Sequence, residues 1–351
     1  MGRQFGVGIL GLGHWYSAYH LARALPEYPK AKLVAVACRE PDKLDEFAST
    51  FGIDGYADYG QLVERDDVDL VHICPPVVDI PECAIRAARA GKHMVLGKPM
   101  AMRVEQADEI VEAVRAAGVK CVPFQGMYRM RSLGLKRQLD DGVIGDVVVM
   151  HACGRWSIAE DWFRSGKPGW FADPRQVPGG AFIDEGIYAV NLLLWLAGSK
   201  VVQVEARMAN LVHKDIEVED WGMATFTFAN GIVATLEASW TVNSPRKSGP
   251  SPKQNAVNRL EVVGTRGEII QDSLAMPGQA VLAAGADNWV FERQEGERYT
   301  PPPTGAFGHL VDCVEADREP SVTVEDAREA FVVALAAYES AREGKPVRLS
   351  W

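Results

Sequence analysis

The chain has 351 residues and a formal net charge of −10 at pH 7. This length exceeds one ordinary core of about 100–200 residues, so two domains are expected. Hydrophobic residues make up 47% and charged residues 24%, a composition typical of globular proteins. The acidic balance, without any run of five lysines or arginines, argues against a nucleic-acid surface, and no apolar stretch reaches the ~20 residues that span a bilayer. We therefore expect neither a nucleic-acid nor a membrane partner.

The N-terminal apolar run and the cysteines both predict a cytoplasmic protein. The run from Phe5 to Leu12 ends in a glycine turn rather than in a small-residue cleavage site, so it is interpreted as a strand and not as a signal peptide. The six cysteines are scattered without a C-x-x-C pair, which indicates reduced thiols packed as small hydrophobic side chains.

Residues 1–124 alternate short apolar runs with segments of helical periodicity. The predicted strands are 5–10, 32–37, 68–74, 93–96 and 121–124, and the predicted helices are 17–25, 41–51, 81–90 and 104–117. Strands of four to eight residues that alternate with helices indicate βαβ units and a parallel sheet. The right-handed crossover of such units predicts a doubly wound α/β domain.

Residues 125–351 follow a different pattern, in which β-rich segments with alternating hydrophobicity dominate. The predicted helices are 133–140, 181–197 and 325–343, and the predicted strands are 147–151, 201–209, 223–228, 232–240, 260–263 and 268–270. Asn230–Gly231 predicts a hairpin, because both residues tolerate positive φ, and 242–258 is interpreted as an exposed loop.

This second part is therefore expected to be an α+β domain with a large open, mainly antiparallel sheet and one helical face. The C-terminal helix is expected to pack back on the first domain. An open sheet leaves a broad β face exposed, and such a face normally requires a partner. We expect a homodimer or homotetramer formed through the C-terminal sheet.

The glycine turn after the first strand predicts a phosphate site. Gly11 and Gly13 stand between that strand and a helix in G-I-L-G-L-G-H-W-Y, where one glycine permits the tight turn and the next permits close approach of a pyrophosphate. The helix N-terminus that begins near His14 and Trp15 would then face the anion. Tyr16 occupies the third glycine position. The alternative is a strand-end turn that binds no ligand, but the surrounding βαβ pattern favours a dinucleotide-binding Rossmann domain.

The end of the second strand bears on the choice between NAD and NADP. An NAD enzyme usually has an acid there for the ribose hydroxyls, whereas this chain has Cys38, Arg39 and then Glu40. Arg39 is suited to a 2′-phosphate and favours NADP, but it could also be a solvated loop charge, and a shift of one residue would give Glu40 the ribose role and favour NAD. The backbone of Cys74 and Pro75, after the third strand, is expected to line the dinucleotide.

Two further motifs complete a resemblance to a known family. The first is Gly97-Lys98-Pro99 at a strand end, and the second runs from Gly179-Gly180 through Asp184 to Tyr188. In this order with the glycine turn, they resemble the glucose–fructose oxidoreductase / inositol dehydrogenase family (Gfo/Idh/MocA), and the resemblance covers essentially the whole chain.

The resemblance implies roles for single residues. Lys98 matches the lysine that lies by the nicotinamide and the substrate hydroxyl, and Asp184 matches the aspartate of the second motif. Tyr188 stands where many members have His and resembles the branch in which a Tyr is the proposed acid/base. Asn191 stands where members with His often carry Asp. Gly97 departs from the pattern, because the family has Glu at this position.

Physical chemistry supports the same three catalytic residues. Asp184 and Tyr188 are four residues apart, so a helix places them on one face. Oxidation of a secondary alcohol needs a base for the hydroxyl proton, and a free Tyr, with a pKa near ~10, is a weak one at neutral pH. The ammonium of Lys98 would favour the phenolate, and Asp184 would accept a substrate hydroxyl. Each residue also has a structural interpretation, as a surface lysine, a core aromatic and a buried hydrogen-bonding carboxylate.

Other candidates are weaker. Trp156 and Trp162, among charged residues, suit the apolar faces of a carbohydrate, although they could simply anchor a long loop. Arg129 is a candidate for substrate binding. The histidines show no metal-binding spacing and no G-x-S-x-G elbow is present, so neither a metal nor a serine nucleophile is expected.

The leading hypothesis is an NAD(P)-dependent dehydrogenase or reductase that acts on a sugar, an inositol or a related polyol, with NADP or NAD as cofactor. One alternative is a glycosidase or lyase that oxidises, eliminates and re-reduces its substrate on a tightly held cofactor. Another is a non-catalytic protein that senses NAD(P), which only the Gly97 substitution favours.

Overall fold

A computed structural model describes residues 4–156, 169–241, 257–272, 276–293 and 305–351. The chain divides into two compact units, of which the first comprises Met1–Met127, Arg175–Pro178 and Thr300–Arg328. The second comprises Tyr128–Pro174, Gly179–Tyr299 and Glu329–Trp351. The first unit thus includes a late segment of the chain in addition to the N-terminal region. None of the helices within the described ranges is long and apolar enough to cross a membrane.

The first unit contains a six-stranded sheet in the order β3-β2-β1-β4-β5-β6. Its strands are β1 (Phe5–Leu10), β2 (Ala31–Ala37), β3 (Asp54–Tyr56), β4 (Leu70–Ile73), β5 (His93–Leu96) and β6 (Cys121–Pro123). Every neighbouring pair is parallel. The predicted doubly wound parallel sheet is therefore confirmed, and β3 is the strand that the sequence pattern did not predict.

Helices connect these strands and pack on the sheet. They are α1 (Trp15–Ala24), α2 (Pro41–Phe51), α3 (Tyr59–Val63), α4 (Ile80–Arg89) and α5 (Val104–Ala117). The central strand β1 is buried on both faces, because Ile9 and Leu10, which point to opposite sides of the sheet, are both fully inaccessible, as a parallel sheet covered by helices requires. A helix near the end of the chain joins the same core, because Phe307 and Leu310 pack with Val7.

The second unit contains a nine-stranded sheet in the order β14-β13-β12-β11-β7-β10-β9-β8-β15. Its strands are β7 (Val147–Arg155), β8 (Val201–Ala209), β9 (Trp221–Phe228), β10 (Val233–Ser239), β11 (Val257–Gly264), β12 (Glu268–Asp272), β13 (Met276–Leu282), β14 (Val290–Arg293) and β15 (Val347–Arg348). Strands β7 and β10 run parallel, and the remaining pairs are antiparallel. The predicted open, mainly antiparallel sheet is confirmed.

The remaining helices are α6 (Met127–Arg131), α7 (Leu133–Asp140), α8 (Ala181–Ala197), α9 (Ala306–Glu315) and α10 (Val324–Glu343). Helix α8 packs on β7, β9 and β10 and supplies the apolar centre of the second unit. Asn230–Gly231 joins β9 to β10, which confirms the predicted hairpin, and Gly231 takes a φ of 88°.

Candidate functional site

The glycine turn after β1 is clamped between two neighbouring segments. Gly11 has a φ of 80°, and its N–H donates to the carbonyl of Ala37 at the end of β2 (2.7 Å). A Cβ atom on Gly11 would lie 2.4 Å from Cα of Pro75, and one on Gly13 would lie 2.5 Å from the nitrogen of Pro76. Both positions therefore require glycine for a close backbone approach.

The turn leads directly into the N-terminus of α1. The N–H of His14 donates to the carbonyl of Cys74 (2.8 Å), and the first turn of α1, which begins at Trp15, contains no acidic residue. A helix N-terminus without a carboxylate attracts an anion. The turn, the helix start and the loop after β4 thus form a cradle that fits the pyrophosphate of a dinucleotide, and they bring together Gly11, Gly13, His14, Cys74 and Pro75.

Lys98 lies two residues beyond the end of β5, in the same unit, and only 4% of its surface is exposed. Together with Gly97, His14 and His72 it lines a small cavity. Burial, with the nearby Lys98 and His72, lowers the pKa of His14 well below its ordinary value. Burial and the nearby His20 lower the pKa of His72 to about 4. Both imidazoles are therefore neutral at pH 7, so neither histidine adds a positive charge next to Lys98.

Hydroxyl groups hold these two histidines. The Tyr16 hydroxyl lies 3.2 Å from Nδ1 of His14, and Oγ of Ser17 lies 2.8 Å from Nε2 of His72. Tyr16, which stands in the third glycine position, thus provides a polar contact beside the turn. Sequence reasoning missed Ser17 and His72, because residues 55 apart leave no local signal of their contact.

Arg39, two residues beyond the end of β2, is bound by two carboxylates. Its Nη1 lies 2.8 Å from Oδ1 of Asp79, and its Nη2 lies 2.6 Å from Oε2 of Glu82. The neighbouring Cys38 is buried, and its N–H donates to the carbonyl of Tyr56 (2.9 Å). Arg39 is therefore a half-exposed loop residue whose charge is paired with two carboxylates.

Asp184 and Tyr188 lie on successive turns of α8 in the second unit, and each is only 7% exposed. The indole Nε1 of Trp240 donates to Oδ2 of Asp184 (3.1 Å). The ring of Tyr188 stacks on that of Tyr128, with centroids 5.0 Å apart. A donor therefore fixes the carboxylate and an aromatic ring fixes the phenol, as expected for side chains that must keep one orientation.

The N-terminus of α8 is held by a buried carboxylate that sequence reasoning did not identify. Glu219 accepts the N–H groups of Gly180 and Phe182 (2.9 Å each) and the hydroxyl of Tyr338 (2.7 Å). Burial raises the pKa of Glu219, and these three donors oppose that rise. A Cβ atom on Gly180 would lie 2.0 Å from the carbonyl oxygen of Glu219, and one on Gly179 would lie 2.2 Å from the Tyr338 hydroxyl. The paired glycines of the second motif are thus required by the packing of this helix end.

The other predicted substrate residues differ in their placement. Arg129 is buried against α8, where its Nε donates to the carbonyl of Asn191 (3.1 Å). The N–H of Trp156, just after β7, donates to the carbonyl of Ser239 (2.8 Å). Trp162 lies outside the described residues. In the second unit, Asp184 and Tyr188 thus lie on α8, and Arg129 lies on α6 and contacts α8.

Comparison with known families identifies the chain. A family model described as "Oxidoreductase family, NAD-binding Rossmann fold" matches residues 5–124. A second, described as "GFO/IDH/MocA C-terminal domain", matches residues 133–270. The chain belongs to the Gfo/Idh/MocA family. The expected family is thereby confirmed, and with it an NAD-binding oxidoreductase.

Individual known proteins match this Gfo/Idh/MocA chain over nearly its full length. The scyllo-inositol 2-dehydrogenase (NAD(+)) of Bacillus subtilis is 27% identical over 99% of this chain and 97% of its own length. The aldose-aldose oxidoreductase from Caulobacter crescentus, solved with glycerol, is 26% identical, with a TM-score of 0.80 over 99% of this chain and 100% of that one. Levoglucosan dehydrogenase, solved with NADH and L-sorbose, shares the fold with a TM-score of 0.83, at 22% identity over 99% of this chain and 100% of that one.

The departure at Gly97 has a steric reason in this Gfo/Idh/MocA member. A Cβ atom on Gly97 would lie 2.8 Å from the carbonyl oxygen of Ile73 and 3.0 Å from Cδ1 of Ile80. The end of β4 and the start of α4 therefore occupy the space that a larger residue would need. A glutamate does not fit here without a shift of the backbone.

Proposed function

We propose that this protein is an NAD-dependent dehydrogenase of a sugar, an inositol or a related polyol. The observation that carries the proposal is the cradle formed by Gly11, Gly13 and the start of α1, with the buried Lys98 in the same unit. The relatives named as inositol and sugar oxidoreductases support the substrate class. When bound, the dinucleotide accepts or returns a hydride at its nicotinamide ring.

The chain's own residues handle the proton and the substrate. In this proposal Tyr188 accepts the proton of the reacting hydroxyl as a phenolate, and Lys98, whose family counterpart lies by the nicotinamide, is the second catalytic residue. Asp184 accepts a hydrogen bond from a substrate hydroxyl. The indole of Trp240 keeps its carboxylate in one orientation, so the substrate meets a preorganised acceptor.

The cofactor in this proposal is NAD(H) rather than NADP(H). The expectation of NADP depended on a guanidinium available for a 2′-phosphate. Arg39 instead has two carboxylate partners, Asp79 and Glu82, at 2.8 and 2.6 Å. A phosphate would have to displace both charge-assisted bonds, whereas a ribose hydroxyl is neutral and can donate to a carboxylate.

Substrate turnover tests the proposal. NAD⁺ is offered with a panel of inositols, aldoses and anhydrosugars, and NADH formation is followed by absorbance. With the best substrate, Tyr188→Phe and Lys98→Met are each expected to lower kcat/KM by about 10²–10⁴-fold, as loss of a proton-transfer group does. Tyr188→Phe is expected to bind NADH with an affinity close to that of the wild type.

The matched control is Tyr19→Phe, which removes a hydroxyl that is bonded to Glu46 on the outside of the first unit. It is expected to keep the wild-type kcat/KM. Full activity in Tyr188→Phe would contradict the assigned role of that residue. A Lys98→Met variant that keeps its cellular function would favour the sensor alternative.

A further inference from the structure

The ion pairs of Arg39 connect the two segments that flank the glycine turn. Arg39 follows β2, whereas Asp79 immediately precedes α4 and Glu82 lies in its first turn, on the chain that leaves β4. Strand β1 lies between β2 and β4 in the sheet. The guanidinium and its two carboxylates therefore lie at the carboxyl edge of the sheet beside the turn, where an open α/β sheet binds its ligand.

Tyr59 contacts both Arg39 and Asp79 and fixes their positions. The Arg39 guanidinium lies 4.7 Å from the centroid of the Tyr59 ring, and the Tyr59 hydroxyl donates to Oδ2 of Asp79 (3.3 Å). Tyr59 is buried, so it forms a rigid platform. Arg39 thus has one planar face on an aromatic ring and its N–H edge on two carboxylates, a combination that holds a half-exposed arginine in place.

The net charge of the side chains around Arg39 opposes binding of a 2′-phosphate. Arg86 adds a guanidinium, whose nitrogens lie 3.1 Å from Glu82 and 3.6 Å from Asp58. Two guanidinium groups therefore face three carboxylates, and the cluster carries a net charge of −1. A phosphate monoester brings roughly −1.5 to −2 charges at neutral pH. The carboxylates and the phosphate therefore repel each other, and solvent only partly screens this repulsion because the side chains are half-exposed.

We propose that Asp79 and Glu82 determine the choice of dinucleotide, because they occupy Arg39 and exclude a 2′-phosphate. The inference rests on the proposed function and adds its specificity-determining residues. Arg39 is then a latent phosphate ligand: once both carboxylates are neutralised, its guanidinium is available to the 2′-phosphate of NADP(H). The two acids lie 40 and 43 residues from Arg39 in the chain, so the sequence around Arg39 alone suggested the opposite preference.

The test is binding of NADH and NADPH, each followed by nicotinamide fluorescence in the absence of substrate. The wild type is expected to bind NADH more tightly than NADPH. In the double variant Asp79→Asn/Glu82→Gln, the affinity for NADPH is expected to rise by at least about tenfold, the scale of one close charge pair, while that for NADH stays within about threefold. Adding Arg39→Ala to the double variant is expected to remove the gain.

Two controls keep the result specific. Glu109→Gln/Glu112→Gln removes the same charge from exposed positions on α5 and is expected to leave both affinities unchanged. The single variants Asp79→Asn and Glu82→Gln are expected to give intermediate ratios, which tests the inference even if the double variant folds poorly.

The inference and the proposed function fail differently. A wild type that binds NADPH as tightly as NADH, an unchanged ratio in the folded double variant, or a gain that persists without Arg39 overturns the inference and leaves a dinucleotide-dependent enzyme. A wild type that binds neither dinucleotide overturns the proposed function, and the inference with it.

Discussion

The Trp240 indole orients a proposed catalytic carboxylate. It is fully buried and donates to Asp184. Trp240→Phe keeps most of the ring but leaves the carboxylate without this donor, which costs about 1–3 kcal/mol of unfolding free energy. We expect kcat/KM for the polyol to fall by about tenfold, since each 1.36 kcal/mol of lost transition-state stabilisation is tenfold in rate, and the affinity for NADH to stay unchanged. Trp351→Phe, which removes an indole donor to Val201, is the control and is expected to keep the activity. An unchanged kcat/KM in Trp240→Phe would contradict the positioning role.

His72 makes the stability of the first unit depend on pH. Its pKa is about 4 in the folded chain, against ~6.5 for an unfolded histidine. Because the folded value is the lower one, the unfolded chain binds the proton first as the pH falls. This contribution is fully present above about pH 6.5 and is lost as the pH falls towards 4.

The wild type is therefore expected to lose roughly 2 kcal/mol more unfolding free energy than His72→Asn between about pH 7 and pH 4.5. Urea denaturation at the two pH values measures the difference. The exposed His151→Asn is expected to behave like the wild type. Parallel losses in the wild type and His72→Asn would show that the imidazole is not the group that titrates.

At the scale of elements, helix α8 depends on the fit between its paired glycines and the clamp formed by Glu219 and Tyr338. Gly180→Ala puts a methyl group against the carbonyl of Glu219 and is expected to lower the unfolding free energy by about 1–3 kcal/mol, as overpacking does. Gly134→Ala, on the exposed side of α7, is the matched control, because a Cβ atom on Gly134 would have no neighbouring atom within 4 Å. It is expected to be neutral or to stabilise by up to about 1 kcal/mol, as a helical Gly→Ala change does. Equal changes of the unfolding free energy in the two variants would show that the contact of Gly180 with Glu219 is not tightly packed.

The sequence predicted elements whose pattern is local and missed those that depend on distant partners. The helix 181–197 and the strand 93–96 agree with the structure to the residue, because their apolar pattern has the length and period of the element. Helix α9 was not predicted, because its apolar residues pack on the sheet of the first unit, which is distant in the sequence. The carboxylates that bind Arg39 were not predicted for the same reason, because they come from another βα connection.

At the scale of the whole molecule, the proposed catalytic residues are divided between the two units. The first unit has the glycine cradle and Lys98, and the second has Asp184 and Tyr188 on one helix. The fold and the family could be predicted from three ordered motifs. The supporting residues, such as Glu219, Trp240 and His72, could not, because they act through contacts between segments far apart in the chain.

The most direct test of the central claim is titration of the purified protein with NADH, followed by nicotinamide fluorescence and by calorimetry. We predict saturable binding of one dinucleotide per chain with a dissociation constant in the micromolar range, because the cradle at Gly11 and Gly13 is preformed. No saturable binding up to millimolar NADH would contradict it: the glycine turn would then be purely structural, and the proposed oxidoreductase chemistry would fail.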